Sequence, residues 1–310
     1  MKAILIYKYG KPENLTLVDL PLPRPKANEV LVQNMVASIN PYDCMVRSGS
    51  MWFMEGFRFP KVLGGESAGI VKEVGEKIKS FKAGDRVIVY TGRGNAYAEY
   101  VAVPEVMVTV LPETLSYSEG AALPIAGSTA YDALHVLGNI KPGQRVLIYG
   151  AYGSVGSFAV QLSKLAGAFV TGVCSTSNLS GVKALGADEV IDYTTSDFKT
   201  SIKKFDIIFD TPSVLKFREV KHLMTETGIL IATLPSPGNM FYQLISTKKG
   251  KKVTTVFAKP TIQKIDYLSN LVSERKLKVI LDKEYPIEQI AEAHHYSETK
   301  RAKGKIIVRF

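Results

Sequence analysis

The stretch Tyr149-Gly150-Ala151-Tyr152-Gly153-Ser154-Val155-Gly156 follows a short apolar run at 146–149 and leads into a helical pattern over 154–166. A buried strand that ends in small residues and opens a helix is the start of a βαβ unit. Small residues at such a turn let the backbone approach a pyrophosphate, whose charge is met by free N–H groups and the positive end of the helix. Gly156 allows helix and strand to pack closely, while Ala151 replaces the first glycine of the usual fingerprint. Gly150, Tyr152, Gly153, Ser154, Val155 and Gly156 are therefore candidate dinucleotide-binding residues. A tight structural turn is the competing reading, but a second strand at 169–173 completes the expected order and favours the cofactor.

Outward from this turn, apolar runs at 169–173, 182–185, 190–192, 207–210 and 229–233 read as strands separated by helices, which predicts a parallel sheet. Residues 1 to about 112 read differently: short strands at 3–7, 15–19, 29–39, 68–74, 86–90 and 96–103 lie between Gly, Pro and Asn punctuation. That pattern predicts a β-rich unit. The last part predicts a helix over 262–275, a strand at 278–281, a helix over 286–297 opened by proline, and a final strand over 305–310.

With 310 residues, the chain is long enough for two domains. Its two cysteines, Cys44 and Cys174, exclude a disulfide framework and imply a reducing, cytoplasmic setting. No run approaches the roughly 18 apolar residues of a membrane span, and the opening residues lack a signal peptide's apolar core. The formal net charge of +10 favours anionic partners. The basic residues are scattered without aromatic interleaving, so no nucleic-acid partner is expected. The densest cluster, Lys248, Lys249, Lys251 and Lys252, reads as a solvated turn.

After the second strand, a carboxylate would hold the adenosine ribose of NAD, but Cys174-Ser175-Thr176-Ser177-Asn178 supplies none, and no acid occurs between Gly167 and Asp188. Ser175, Thr176 and Ser177 thus form a candidate pocket that tolerates a ribose 2'-phosphate. NADP (as NADPH) is the expected cofactor, and NAD is possible.

The run Gly143, Gln144, Leu147, Ala151, Gly153, Gly156, Gln161 and Lys164 resembles the signature of zinc-free quinone oxidoreductases. These form the zeta-crystallin-like branch of the medium-chain dehydrogenase/reductase superfamily. Asn40-Pro41 with Asp43 and Arg47, Phe59-Pro60 before Gly64 and Glu66, Gly127 with Thr129, Asp192-Tyr193 and Gly304-Lys305 extend the resemblance over the whole chain. It implies an α/β fold with a GroES-like β-rich catalytic domain, 1–115 and 277–310, and a doubly wound Rossmann-type nucleotide-binding domain, 116–276. It also implies reduction of a small apolar carbonyl or quinone substrate by hydride from NADPH, and a homodimer paired through the apolar edge at 253–258.

Zinc-binding relatives carry cysteine where Asn40 stands and histidine where Gly65 stands. His135, His222, His294 and His295 have no ligand-like spacing with a cysteine, so no metal is expected. Charge developing on the substrate oxygen then needs hydrogen-bond donors. The resemblance offers Asn40, Tyr42, Arg47 and Tyr131, with Asn40 first and also near the cofactor, although asparagine before proline often only shapes a turn. Thr129 resembles the family's threonine near the nicotinamide, and Tyr193 the residue flanking the adenosine phosphate. Lys305 resembles a basic residue near the cofactor, against the alternative of a strand lysine facing water. Ser177 stands where many relatives carry arginine, which weakens the grip on NADP. Met51-Trp52-Phe53-Met54, Phe57 and Phe59 read either as a wall for a flat apolar substrate or as a locally buried loop. Two alternatives remain: a zinc-free alcohol dehydrogenase or enoyl reductase, and a cofactor-binding protein that acts on nucleic acid.

Overall fold

A computed structural model describes residues 1–92, 94–245 and 250–310 of the protein. Short apolar stretches set between Gly, Pro and Asn punctuation in the first part form β1 (Lys2–Ile6), β2 (Thr16–Asp19), β3 (Glu29–Ile39), β4 (Lys61–Val62), β5 (Glu66–Val74), β6 (Arg86–Tyr90), β7 (Tyr100–Pro104) and β8 (Val108–Val110). Between β3 and β4 lie α1 (Pro41–Ser48) and α2 (Trp52–Glu55), and α3 (Tyr117–Ala122) follows β8. Proline opens α1, where a missing N–H costs nothing, and Gly49 closes it with a left-handed φ of 90°. The eleven-residue β3 is the organising strand, pairing antiparallel with both β5 and β7.

Then the chain changes period. It runs through α4 (Pro124–Tyr131), β9 (Arg145–Tyr149), α5 (Ser154–Leu165), β10 (Phe169–Cys174), α6 (Leu179–Ala184), β11 (Glu189–Asp192), β12 (Phe205–Asp210), α7 (Phe217–Val220), β13 (Met224–Ala232), α8 (Pro237–Ile245) and β14 (Lys252–Thr255). The six strands form one parallel sheet in the order β11-β10-β9-β12-β13-β14. Central strands such as β9 and β12 are apolar on both faces because helices cover both. The chain reverses its direction of winding between β9 and β12, and a doubly wound sheet binds ligands at the carboxyl ends of the strands there.

The chain closes with α9 (Ile262–Ser273), β15 (Leu281–Pro286), α10 (Ile290–Glu298) and β16 (Lys305–Arg309). β16 returns to the β-rich part and pairs antiparallel with β3, Ile306 opposite Ile39. Two compact units result, Met1–Ile125 with Pro260–Phe310, and Ala126–Lys259. The sequence-based boundaries lie at 115 and 277; α3 and α9 pack on strands of the β-rich unit, α3 on β5 and α9 on β8. No helix among the described residues is long and apolar enough to cross a membrane.

Two expected strands are corrected. Residues 182–185 belong to the end of α6 and the turn after it, because Val182 packs down onto β10 at Gly172, where a built Cβ would lie 2.5 Å from a Val182 methyl. A four-residue apolar run does not distinguish strand from buried helix. The strand expected at 278–281 forms instead over 281–286, where parallel pairing with β16 sets its limits. Of the lysine cluster, Lys248 and Lys249 lie outside the described residues, and Lys251 pairs with Glu226 at 3.4 Å.

Candidate functional site

In the nucleotide-type unit, β9 delivers Gly150 with a φ of 77°, a conformation that favours glycine, and α5 begins at Ser154 with Gly153 as its N-cap. A Cβ on Gly156 would come within 2.1 Å of the Gly150 carbonyl oxygen, so the helix can sit this close to the turn only with glycine there. Gly153 differs: its built Cβ meets nothing nearer than 3.6 Å. That space opens in front of the helix, and no side chain caps it. The N–H groups of Ser154, Val155 and Gly156 are in the first turn, where a helix offers them no acceptor of its own. Tyr152 turns away from the opening and lays its ring over Gly181 on α6, where a Cβ would be 2.4 Å from the ring. These features fit the pyrophosphate of a dinucleotide.

At the end of β10, Ser175 is half-buried and Thr176 and Ser177 are exposed. The absence of an acid that the chain order suggests is corrected by the fold: parallel pairing of β10 with β11 sets Cys174 opposite Asp192. Thr176 donates its hydroxyl proton to Asp192 Oδ2 at 2.6 Å. The Thr194 backbone N–H and hydroxyl donate to Oδ1 at 2.9 and 2.6 Å. Those hydrogen bonds hold the Asp192 carboxyl below the usual carboxylate range, that of Thr176 contributing most. Tyr193 is exposed beside them, its ring centroid 6.0 Å from that of Tyr149, and Tyr149 in turn lies 5.4 Å from Phe198. Across the switch point, Thr211 donates to the Tyr149 carbonyl at 2.9 Å, and Thr233 to the Thr211 carbonyl at 2.8 Å. Asp192, Thr211 and Thr233, none of them a candidate on sequence grounds, come to this end of the sheet only through strand pairing.

Thr129 is buried in α4, and Tyr131 at the end of that helix stacks on His135 with ring centroids 4.7 Å apart.

In the β-rich unit, Asn40 ends β3 and caps α1. Its backbone N–H donates to Asp43 Oδ2 at 2.8 Å, and Tyr97 donates to the same oxygen at 3.1 Å. Burial lifts the Asp43 carboxyl to about 6. The Asn40 amide joins a buried charge pair: Nδ2 donates to Glu66 Oε1 at 2.9 Å, and Oδ1 accepts from Lys305 Nζ at 2.5 Å. Lys305 also reaches Glu66 at 2.6 Å, Ser38 donates to that oxygen, and the Ile125 N–H donates to Oε2 at 2.7 Å. Lys305 is 1% exposed and Glu66 0%, so the alternative of a lysine facing water is corrected.

Arg47 is likewise 1% exposed; it donates to the Gly10 carbonyl at 2.6 Å and pairs with Glu298. Its guanidinium ties α1 to α10 rather than standing open as a donor. Tyr42 donates to Glu55 on α2 at 2.8 Å. The greasy loop is not buried: Trp52, Phe53, Met54 and Phe57 are exposed, with Phe57 stacked on Trp52 and edge-on to Tyr9.

The residues do not fit a catalytic zinc. Asn40 faces an ammonium, and even a Cβ at position 65 would come within 2.7 Å of the Gly92 carbonyl oxygen. Among the described residues no three His, Cys, Asp or Glu side chains are grouped to hold a metal.

A β-rich unit built from both ends of the chain, interrupted by a parallel dinucleotide-binding sheet, defines the medium-chain dehydrogenase/reductases. Residues 26–113 match the family described as alcohol dehydrogenase GroES-like domain, and residues 185–308 the family described as zinc-binding dehydrogenase. The chloroplast envelope quinone oxidoreductase homolog of Arabidopsis thaliana is 34% identical over 99% of this chain and 98% of its own. The quinone oxidoreductase structure from Coxiella burnetii is 30% identical with a TM-score of 0.91, covering 100% of this chain and 99% of that one. That of the Escherichia coli quinone oxidoreductase complexed with NADPH is 26% identical with a TM-score of 0.88, covering both chains completely. The chain belongs to the zinc-free quinone oxidoreductase branch of this superfamily and is a nicotinamide-dependent oxidoreductase.

Proposed function

We propose that the protein reduces quinones and α,β-unsaturated carbonyls by hydride transfer from a reduced nicotinamide, without a metal. The opening at Gly153, in front of uncapped N–H groups of α5, is the observation that carries this reading. Relatives described as quinone oxidoreductases, one of them complexed with NADPH, support it.

When bound, the reduced nicotinamide supplies the hydride. The chain's residues hold and polarise. The first turn of α5 takes the pyrophosphate, Tyr193 flanks the adenosine, and Thr129 fixes the nicotinamide ring. Asn40 directs its second amide hydrogen at the substrate oxygen. Lys305 at its Oδ1 and Glu66 at its Nδ2 lock the amide's orientation, and the ammonium strengthens it as a donor. Tyr42 and Tyr131 are the remaining donor candidates, whereas Arg47 is assigned to the fold. The exposed Trp52, Phe53 and Phe57 offer flat apolar surface to a quinone. The active form is a homodimer joined along β14, whose outer edge pairs with no strand among the described residues.

A spectrophotometric panel of quinones, enones and alcohols with NADH and NADPH tests this. Loss of nicotinamide absorbance with quinones or enones is expected. Turnover of alcohols alone would replace the reading by an alcohol dehydrogenase.

A further inference from the structure

We infer that the outer face of α8, together with the lysines that open β14, docks the protein on the surface of an anionic lipid bilayer.

A helix that covers a sheet normally turns its apolar residues inward. α8 does the reverse. Its inner contacts are made by buried Asn239, whose Oδ1 accepts from the Phe217 N–H at 2.9 Å and whose amide donates to the Leu215 carbonyl at 3.0 Å. Tyr242, half-buried, adds a ring 5.2 Å from that of Phe217. At about 100° of turn per residue, Met240, Phe241 and Leu244 share an arc of about 100° on the opposite side. All three are exposed, Phe241 to 59% and Leu244 to 86%, and no residue of α8 carries a charge. A single exposed apolar residue needs no explanation, but three on one helix face mark a contact surface.

Charge identifies the occupant. Between Glu226 and Asp266 the sequence holds six lysines and no acid. The fold brings Lys251 and Lys252 to the apolar face. Because β13 and β14 are parallel, the crossover between them must return to the amino ends of the strands, so α8 runs towards the point where Lys252 opens β14. α8 packs on β14, with Gln243 3.5 Å from the Thr254 hydroxyl. Lys252 is exposed and pairs with no acid among the described residues, while Lys251 meets Glu226, a side chain 95% exposed. Apolar side chains that enter the boundary between headgroups and acyl chains, beside lysines that meet anionic headgroups, make an interfacial helix. A second copy meeting this face about a two-fold axis would set lysines against lysines. A nucleic-acid strand would need successive aromatic platforms, and Phe241 is the one exposed ring of the helix.

Co-sedimentation of the full chain with vesicles tests the inference, one set of phosphatidylcholine alone and one of equal parts phosphatidylcholine and phosphatidylserine. Wild type is expected to bind the anionic set about tenfold more tightly than the neutral one and to be released by high salt. That comparison does not depend on a variant folding. Phe241→Ser combined with Leu244→Ser should weaken binding to the anionic vesicles about tenfold, and Lys252→Glu should weaken it in the same direction. Ile202→Ser, at an apolar residue 92% exposed elsewhere, should leave binding unchanged. Absence of vesicle binding by wild type, equal binding to both sets, or binding indifferent to the paired serine change overturns the inference. Light scattering and titration with single-stranded RNA separate the other occupants. A dimer lost in the serine pair while vesicle binding persists would give the face to a second copy, and RNA binding in place of vesicle binding would give the lysines to nucleic acid.

Discussion

The ammonium of Lys305 lies 2.5 Å from the amide oxygen of Asn40, 265 residues earlier in the chain, and both share the buried carboxylate of Glu66. A charge pair removed from water is costly to break from one side, because the partner stays buried without compensation. Lys305→Met is therefore expected to destabilise the protein by ~3–5 kcal/mol, measured by urea unfolding. Lys305→Met combined with Glu66→Gln should cost less than the sum of the single changes. Additive costs would show that the pair does not act as a unit.

The two glycines of the turn should separate folding from binding. Gly156→Ala places a methyl 2.1 Å from the Gly150 oxygen and must move backbone, so a loss of ~1–3 kcal/mol is expected. Gly153→Ala has room for its methyl and should change stability by less than ~1 kcal/mol. Cofactor binding by Gly153→Ala should nevertheless weaken about tenfold, since the methyl fills the pyrophosphate seat. Unchanged binding would remove the seat from Gly153.

Purified protein should contain no stoichiometric zinc by elemental analysis and keep its reductase activity in a strong chelator. Asn40 and Gly65 provide no ligands, and Lys305 already occupies the Asn40 oxygen. Activity lost to the chelator and restored by zinc would refute this.

His294 is fully buried, its Nδ1 is 3.4 Å from the Cys44 sulfur, and its Nε2 has no hydrogen-bond partner. Burial, followed by the charge of Arg47, pushes its pKa down to about 3, against 6.5 when exposed. The native state thus binds fewer protons than the unfolded chain between those values, and stability from this group falls as pH drops through that window. Going from pH 7.5 to pH 5 should cost wild type about 2 kcal/mol more than a His294→Gln variant. Asp43 and Asp210, both lifted to about 6 by burial, act in the opposite sense. Only the difference between wild type and variant isolates the histidine. Parallel pH profiles for the two proteins would contradict its burial as a neutral group.

Light scattering should report a dimer at micromolar concentration. Phe257 is exposed two residues beyond β14, so Phe257→Glu should weaken association about tenfold or more without altering the monomer's fold. A monomeric wild type would remove β14 as the interface.

What the amino-acid order determined by itself is what depends on near neighbours. The strand-turn-helix at Gly150, Gly153 and Gly156, the short strands between turn residues before residue 112, and the change to helix-separated apolar runs after residue 145 all follow from backbone sterics and local pattern within a few residues. The short run at 182–185 escaped this logic, since only its packing onto Gly172 makes it helical. Tertiary structure decided the charges. Lys305 reads as a surface residue until β16 pairs with β3 and buries it against Glu66. The end of β10 reads as free of acid until β11 pairs beside it and brings Asp192 to Thr176. Strand pairing is a long-range choice made by burial and hydrogen-bond register, and a charge's partner, hence its role, is settled only when that choice has been made.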